Sequence, residues 1–307
     1  MKIKNTIILT VLIGLTISVI LFIFNTENLT SSDPIQLTNK IEKQFTKNNP
    51  TAHHYYKTLL KNIELNKFDS IPFLIQKSIE LAQESKDNRL LFKIHKAVGY
   101  HYLYTSELAK SLESFQNALY YQPNLDTKEI GDIYLGIGGI YFYLDDFKQS
   151  LDYCELAHDV YKKANSPRSL SSYHANIANI YAAQNQTQKA IKSLEKSLLI
   201  AEKHKDTLVG ASILNSLSIL AIQQEDYKAA KEYINKAYKL TEKNKDSQSE
   251  ANILHTKGLL FETLEEFDTA VHYFNQANAV ISKDSLRIKL NTSQSLANIA
   301  ESNNNYK

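Results

Sequence analysis

Tryptophan is absent from the 307 residues, cysteine and methionine occur once each, and there are only eight glycines and five prolines. Gly and Pro are the residues that break helices, so their scarcity, with many long side chains, points to helix nearly throughout. The lone Cys154 has no internal partner for a disulfide, so cysteine usage does not identify the compartment. An excess of charge is missing as well. Lys2 and Lys4 precede the first apolar run and no acid occurs before Glu27, which leaves 33 basic (35 − 2) and 33 acidic residues in the body. A body of zero net charge lacks the basic footprint that nucleic-acid binding needs.

The one long apolar run is Ile7 to Phe24, interrupted only by Thr10, Gly14, Thr16 and Ser18. Its eighteen residues suffice to span a bilayer, and the lysines ahead of it keep the N-terminus inside. The expectation is a transmembrane anchor or signal segment over residues 1–25 with the rest of the chain outside the cytoplasm. The run exceeds the usual signal-peptide core and the only loose cleavage match is Thr30-Ser31-Ser32, which favours an uncleaved anchor; cleavage within 1–32 would release a soluble secreted form. Residues 26–49 read as a polar linker followed by an amphipathic capping helix with Leu37, Ile41 and Phe45 four residues apart.

The remainder repeats itself. The phrase large apolar–x₂–small–x₃–apolar–x₂–small occurs as Phe147-x₂-Ser150-x₃-Cys154-x₂-Ala157, Tyr227-x₂-Ala230-x₃-Ile234-x₂-Ala237 and Phe267-x₂-Ala270-x₃-Phe274-x₂-Ala277, with weaker copies at Phe68, Leu108 and Thr187. The leading positions step by 40, 39, 40, 40 and 40. Twelve residues before each first small position lies a second mark: Gly99-x₂-Tyr102, Gly138-x₂-Tyr141, Ala178-x₂-Tyr181, Ser218-x₂-Ala221 and Gly258-x₂-Phe261. Small residues at Gly99 and Ser111, or Gly258 and Ala270, let two helices approach, and aromatics such as Tyr102, Phe115, Phe261 and Phe274 fill the space between neighbouring hairpins. Cys154 takes the slot held elsewhere by Phe115, Leu194 and Phe274, so it reads as a packed, unreactive thiol.

Together these marks resemble the tetratricopeptide-repeat (TPR) signature, with small-x₂-Tyr on helix A and Ala-x₃-Phe-x₂-Ala on helix B; Pro123 falls where that signature closes, and the other copies lack it. The resemblance covers residues 52–307 and implies an all-α fold. It would be an α-solenoid, a right-handed superhelix of about six 40-residue hairpins near 52–91, 92–130, 131–170, 171–210, 211–250 and 251–289, with a partial seventh over 290–307. The six residues beyond the usual period of 34 lengthen helix B and its turn, as in Lys203-His204-Lys205-Asp206, a form similar to bacterial TPR peptide receptors and sensors. In the seventh copy Ala297 takes the small mark and Leu290, Leu296, Ile299 and Ala300 are apolar, so an uncovered A helix ending in an Asn303–Asn305 turn is expected, as in an array cut inside a repeat.

Motifs for chemistry are missing. Gly131-x₄-Gly136-Ile137-Gly138 resembles a phosphate loop only superficially, since no Lys-Ser/Thr follows and it lies mid-helix. No Gly-x-Ser-x-Gly, His-Glu-x-x-His or Cys-x-x-Cys occurs, and the nine histidines are scattered, the adjacent His53 and His54 diverging on a helix. No catalytic, metal or cofactor residue is assigned, and no small-molecule substrate is implied.

In stacked TPRs the A helices line a concave groove, and register places Lys93, Lys96, Tyr100, Tyr104, Gly136, Gly139, Tyr143, Asn176, Asn179 and Asn215 along it. Gly136 and Gly139 each cost about 1 kcal/mol relative to Ala within a helix, and read as a floor opened for ligand backbone. Asparagine amides pair with a peptide N–H and C=O together. The expected partner is therefore a protein or peptide in the groove. The resemblance to exported sensor regions of bacterial TPR histidine kinases and response regulators implies a signalling role; an envelope scaffold or a cytosolic co-chaperone-like adaptor are the alternatives.

Overall fold

The computed structural model describes residues 50–65, 68–122, 127–244, 246–280 and 286–305. The apolar run 7–24, the linker and the capping helix expected before residue 50 lie outside them. Among the described residues no helix is long and apolar enough to cross a membrane.

Thirteen α-helices follow one another, and the described residues contain no strand. In order they are α1 (Pro50–Glu64), α2 (Ile71–Glu84), α3 (Asn88–Tyr104), α4 (Leu108–Tyr120), α5 (Thr127–Tyr143), α6 (Phe147–Lys163), α7 (Pro167–Ala183), α8 (Thr187–Lys203), α9 (Thr207–Gln223), α10 (Tyr227–Asn244), α11 (Ser247–Thr263), α12 (Phe267–Val280) and α13 (Leu286–Asn305). Odd-numbered helices are A helices and even-numbered ones B helices. The B helices α4, α6, α8, α10 and α12 begin at Leu108, Phe147, Thr187, Tyr227 and Phe267, the leading positions of the repeated phrase. The A helices begin at residues 88, 127, 167, 207 and 247, four residues ahead of the boundaries drawn from the pattern. The start is set by polar caps that carry no hydrophobic signal: Asp87, Asp206 and Asp246 accept from Leu90, Val209 and Ser249 backbone N–H groups. At the other end Asn303–Asn305, expected as a turn, continue α13; asparagine's low helix propensity does not stop a helix already nucleated.

The hairpins close without glycine. Lys86, Ser106, Asp145, Asn165, Asn185, Lys205, Glu225 and Glu265 all hold positive φ, and no described glycine does. In each turn the next amide reaches back to the helix, as Asp206 N–H does to Ala201 C=O at 2.9 Å. Every described glycine instead lies inside an A helix. Helices α3/α4, α5/α6 and α9/α10 cross at the small pairs twelve residues apart, and a hydroxyl bridges each crossing. Ser111 donates to Gly99 C=O (2.7 Å), Ser150 to Gly138 C=O (2.8 Å) and Ser218 to Ala230 C=O (3.0 Å).

The described chain divides between Ser169 and Leu170 into two units, each with its own core. In the first, Phe92, Tyr100, Leu103, Phe115, Ile133, Ile137 and Ile140 form one buried cluster. In the second, Ile234 and Ile253 pack with Ala211 and Ala237, and Phe274 with Ala270 and Ile299. Full burial of rings such as Phe115 and Phe274 contributes about 1.5–3 kcal/mol each. Within each unit neighbouring A helices also touch directly, α3 with α5 and α9 with α11, which aligns the candidate site's positions along one helix layer. At the seventh A helix Leu290 is 69% exposed while Ile299 is buried, so one side faces solvent.

Candidate functional site on the A helices

In the first unit the expected groove residues separate into buried and accessible ones. Tyr104 is exposed, and Lys93, Gly139 and Tyr143 are half-buried. Lys96 forms an ion pair with Glu129 of α5 at 2.6 Å. Two assignments are corrected. Tyr100 is not a wall of the groove: it is buried, its hydroxyl donates to Asp132 C=O, and its ring meets Phe115 edge-on at 5.0 Å. Gly136 is not a floor for ligand either. A Cβ there would lie 2.7 Å from Phe115 Cζ, and one on Gly99 would lie 2.6 Å from the same ring. Phe115 thus occupies a slot made by a glycine of its own hairpin and one of the next. Gly131 does the same for Tyr161, whose ring would be 2.5 Å from an added Cβ. Of the three glycines that resembled a phosphate loop, Gly131 and Gly136 are seats for aromatic rings, and Gly138 lies against Cys154.

Sequence reading missed the centre of this unit. Asp132 is buried and accepts from the Tyr161 hydroxyl at 2.8 Å. Burial pushes its carboxyl above the usual range, against the pull of Lys96 and Lys128. Burial likewise drives the Tyr161 phenol well upward, and the Asp132 charge adds to it. The available signal was a mismatch: Tyr161 holds a slot that is Ala201 and Thr241 in other copies, opposite a glycine.

In the second unit Asn176 is half-buried and donates to Ser172 C=O of its own helix at 2.9 Å. Asn179 is buried, and its Nδ2 has no hydrogen-bond partner; the buried Oδ1 of Asn215 has none either. His255 occupies on α11 the slot that Asn215 occupies on α9, and its buried Nδ1 is also unpartnered. Its ring lies 5.3 Å from Phe274, and burial lowers its pKa to about 4. Two turns further along α11, burial raises the Glu262 carboxyl to about 7. Neither His255 nor Glu262 was singled out from the sequence, because scattered single residues carry no spacing signal. Cys154 is fully packed against Gly138 and its thiol is pushed up to about 12. Among the described residues no three His, Cys, Asp or Glu side chains gather to hold a metal.

An arrangement of helix hairpins with seated rings and a polar A-helix face has known counterparts. The tetratricopeptide repeat family model matches residues 129–203 and 210–280. Response regulator aspartate phosphatase A of Bacillus subtilis is 33% identical over 97 residues, 32% of this chain and 26% of that protein. The chain spans about a quarter of the length of the curated relatives it matches. Among solved structures, a Rap protein complexed with competence and sporulation factor superposes with a TM-score of 0.64 at 14% identity, covering 90% of this chain and 72% of that one. Aspartyl phosphate phosphatase F from Bacillus subtilis superposes with a TM-score of 0.59 at 18% identity, covering 94% and 81%. These structural likenesses show the fold. With the repeat family matched in both units and the signature seated in the core as its spacing implied, residues 129–203 and 210–280 are tetratricopeptide repeats, a fold that generally serves as a protein-binding scaffold.

Proposed function

We propose that this chain binds an extended peptide or protein segment along its A-helix face and performs no catalysis itself. The observation that carries the reading is the pair of unpartnered amide atoms in the second unit: a donor at Asn179 Nδ2 and an acceptor at Asn215 Oδ1. A buried polar atom without a partner costs about 1–3 kcal/mol, so the site gains when a ligand supplies one. A peptide unit offers a C=O and an N–H together. The related Rap structure is itself a complex with a factor, which supports the same use of the fold.

The wider role we propose is the partner-binding part of a bacterial signalling system, held at the membrane by residues 7–24 with the repeats outside the cytoplasm. The apolar run and its flanking Lys2 and Lys4 support this. An envelope scaffold is the second reading. Full-length protein probed on a random octapeptide array tests the binding: retention is expected, with at least a tenfold loss in the Asn179→Ala/Asn215→Ala double variant. Equal retention by both proteins sinks the site. A C-terminal reporter active only in the cytoplasm overturns the location.

A further inference from the structure

Three groups in the second unit share one chemical property. Asn215 Oδ1 accepts hydrogen bonds and is buried without a donor. His255 sits in the matching slot of the adjacent A helix; its ring is neutral, and its buried Nδ1 accepts when the proton rests on Nε2. Glu262 lies seven residues beyond His255, which returns it to the same face of α11 about 10 Å further along the axis. Among the described residues its carboxylate makes no ion pair, and burial alone accounts for its raised pKa. The helix's own lysine is engaged elsewhere: Lys257 Nζ stands 4.1 Å over the Tyr238 ring and 5.4 Å over that of Tyr273. The face therefore presents two unpartnered acceptors and a carboxyl without an ion-pair partner among the described residues.

We infer that this face of α9 and α11 is a subsite for a cationic group of the bound peptide, an ammonium or guanidinium held by Glu262 while backbone N–H groups reach Asn215 and His255. The spacing fits: about 10 Å is the span of three residues of extended chain. The inference rests on the peptide reading and names the chemistry of its ligand. A basic side chain and a free N-terminal amine share that chemistry.

The test uses full-length protein and three octapeptide pools, randomised except for one scanned position fixed as Lys/Arg, Gln or Glu, each pool with free and acetylated N-termini. Wild type is expected to retain the basic pool at least tenfold more strongly than the Gln pool, and Glu262→Gln to erase that preference while still retaining peptides. Glu262→Gln is isosteric and removes a desolvated charge, so it keeps the fold. A basic-over-Gln preference that survives acetylation assigns the cation to a side chain; equal retention of the free basic and Gln pools, lost from both on acetylation, assigns it to the N-terminus. Retention that responds neither to side-chain charge nor to acetylation, or an unchanged preference in Glu262→Gln, overturns the subsite and leaves the peptide reading standing. Retention of no pool at all overturns both.

Discussion

Replacing Gly136 with alanine separates a packing glycine from a ligand-facing one. On an open helix surface the change gains about 1 kcal/mol of helix propensity. Here the added Cβ would lie 2.7 Å from Phe115 Cζ and 2.8 Å from Cε2, well inside the 3.5–4.0 Å of carbon contact. The ring has no retreat, because Gly99 already abuts its other atoms and Tyr100 meets it edge-on. Overpacking of this kind costs about 1–3 kcal/mol, so Gly136→Ala should be neutral to destabilising by about 2 kcal/mol after the propensity gain. Phe115→Leu shortens the ring and should relieve the clash, leaving the two changes coupled by about 1 kcal/mol or more in a double-mutant cycle. Urea unfolding of the four proteins measures it. If Gly136→Ala raises stability by the full propensity gain and the cycle shows no coupling, the seat for Phe115 is not real.

Lys205→Gly should raise stability by up to about 1 kcal/mol in the same assay, because Lys205 holds a positive φ that costs an L residue about 1–2 kcal/mol. Asp206→Ala should lower it by about 1 kcal/mol through loss of the cap on α9. His95 and His255 are both held neutral by burial with pKa values of about 4, so the unfolded chain takes up their protons first; stability should fall as pH drops from about 6.5 towards 4, and His255→Asn should lessen the fall. Glu262 works the other way: its raised pKa removes stability as pH climbs from about 4.5 to 7, and Glu262→Gln should flatten that slope in thermal melts. Cys154 should resist a thiol-specific dye in native protein and react on unfolding; rapid native labelling would contradict its burial and raised pKa.

The helix pairing was legible because it depends on residues a fixed distance apart on the same chain. The twelve-residue spacing of Gly99 and Ser111 foretold a crossing that the structure closes with a hydrogen bond. The A helices start four residues ahead of the approximate repeat boundaries, because those boundaries followed the apolar marks and not the polar caps at Asp87, Asp206 and Asp246, which recur at the repeat spacing. The candidate site was legible only in part. Register placed Asn179 and Asn215 on the A-helix layer, and their unpartnered atoms make them the strongest candidates. Register also placed Tyr100 and Gly136 there, and both turned out to serve the core.

Repetition by itself determined the architecture. A hairpin that buries its face only against the next copy must recur in sequence as it recurs in space, and the 40-residue steps record that requirement. Tertiary structure alone decided what each exception to the repeat is for. Tyr161 is large where other copies are small because Gly131 faces it, and Asp132 is buried because Tyr161 reaches it. Asn215 and His255 hold equivalent slots that sequence spacing cannot distinguish from Lys96, which is paired with Glu129. Whether a polar group is satisfied depends on neighbours distant along the chain, and only packing brings those neighbours within hydrogen-bond reach.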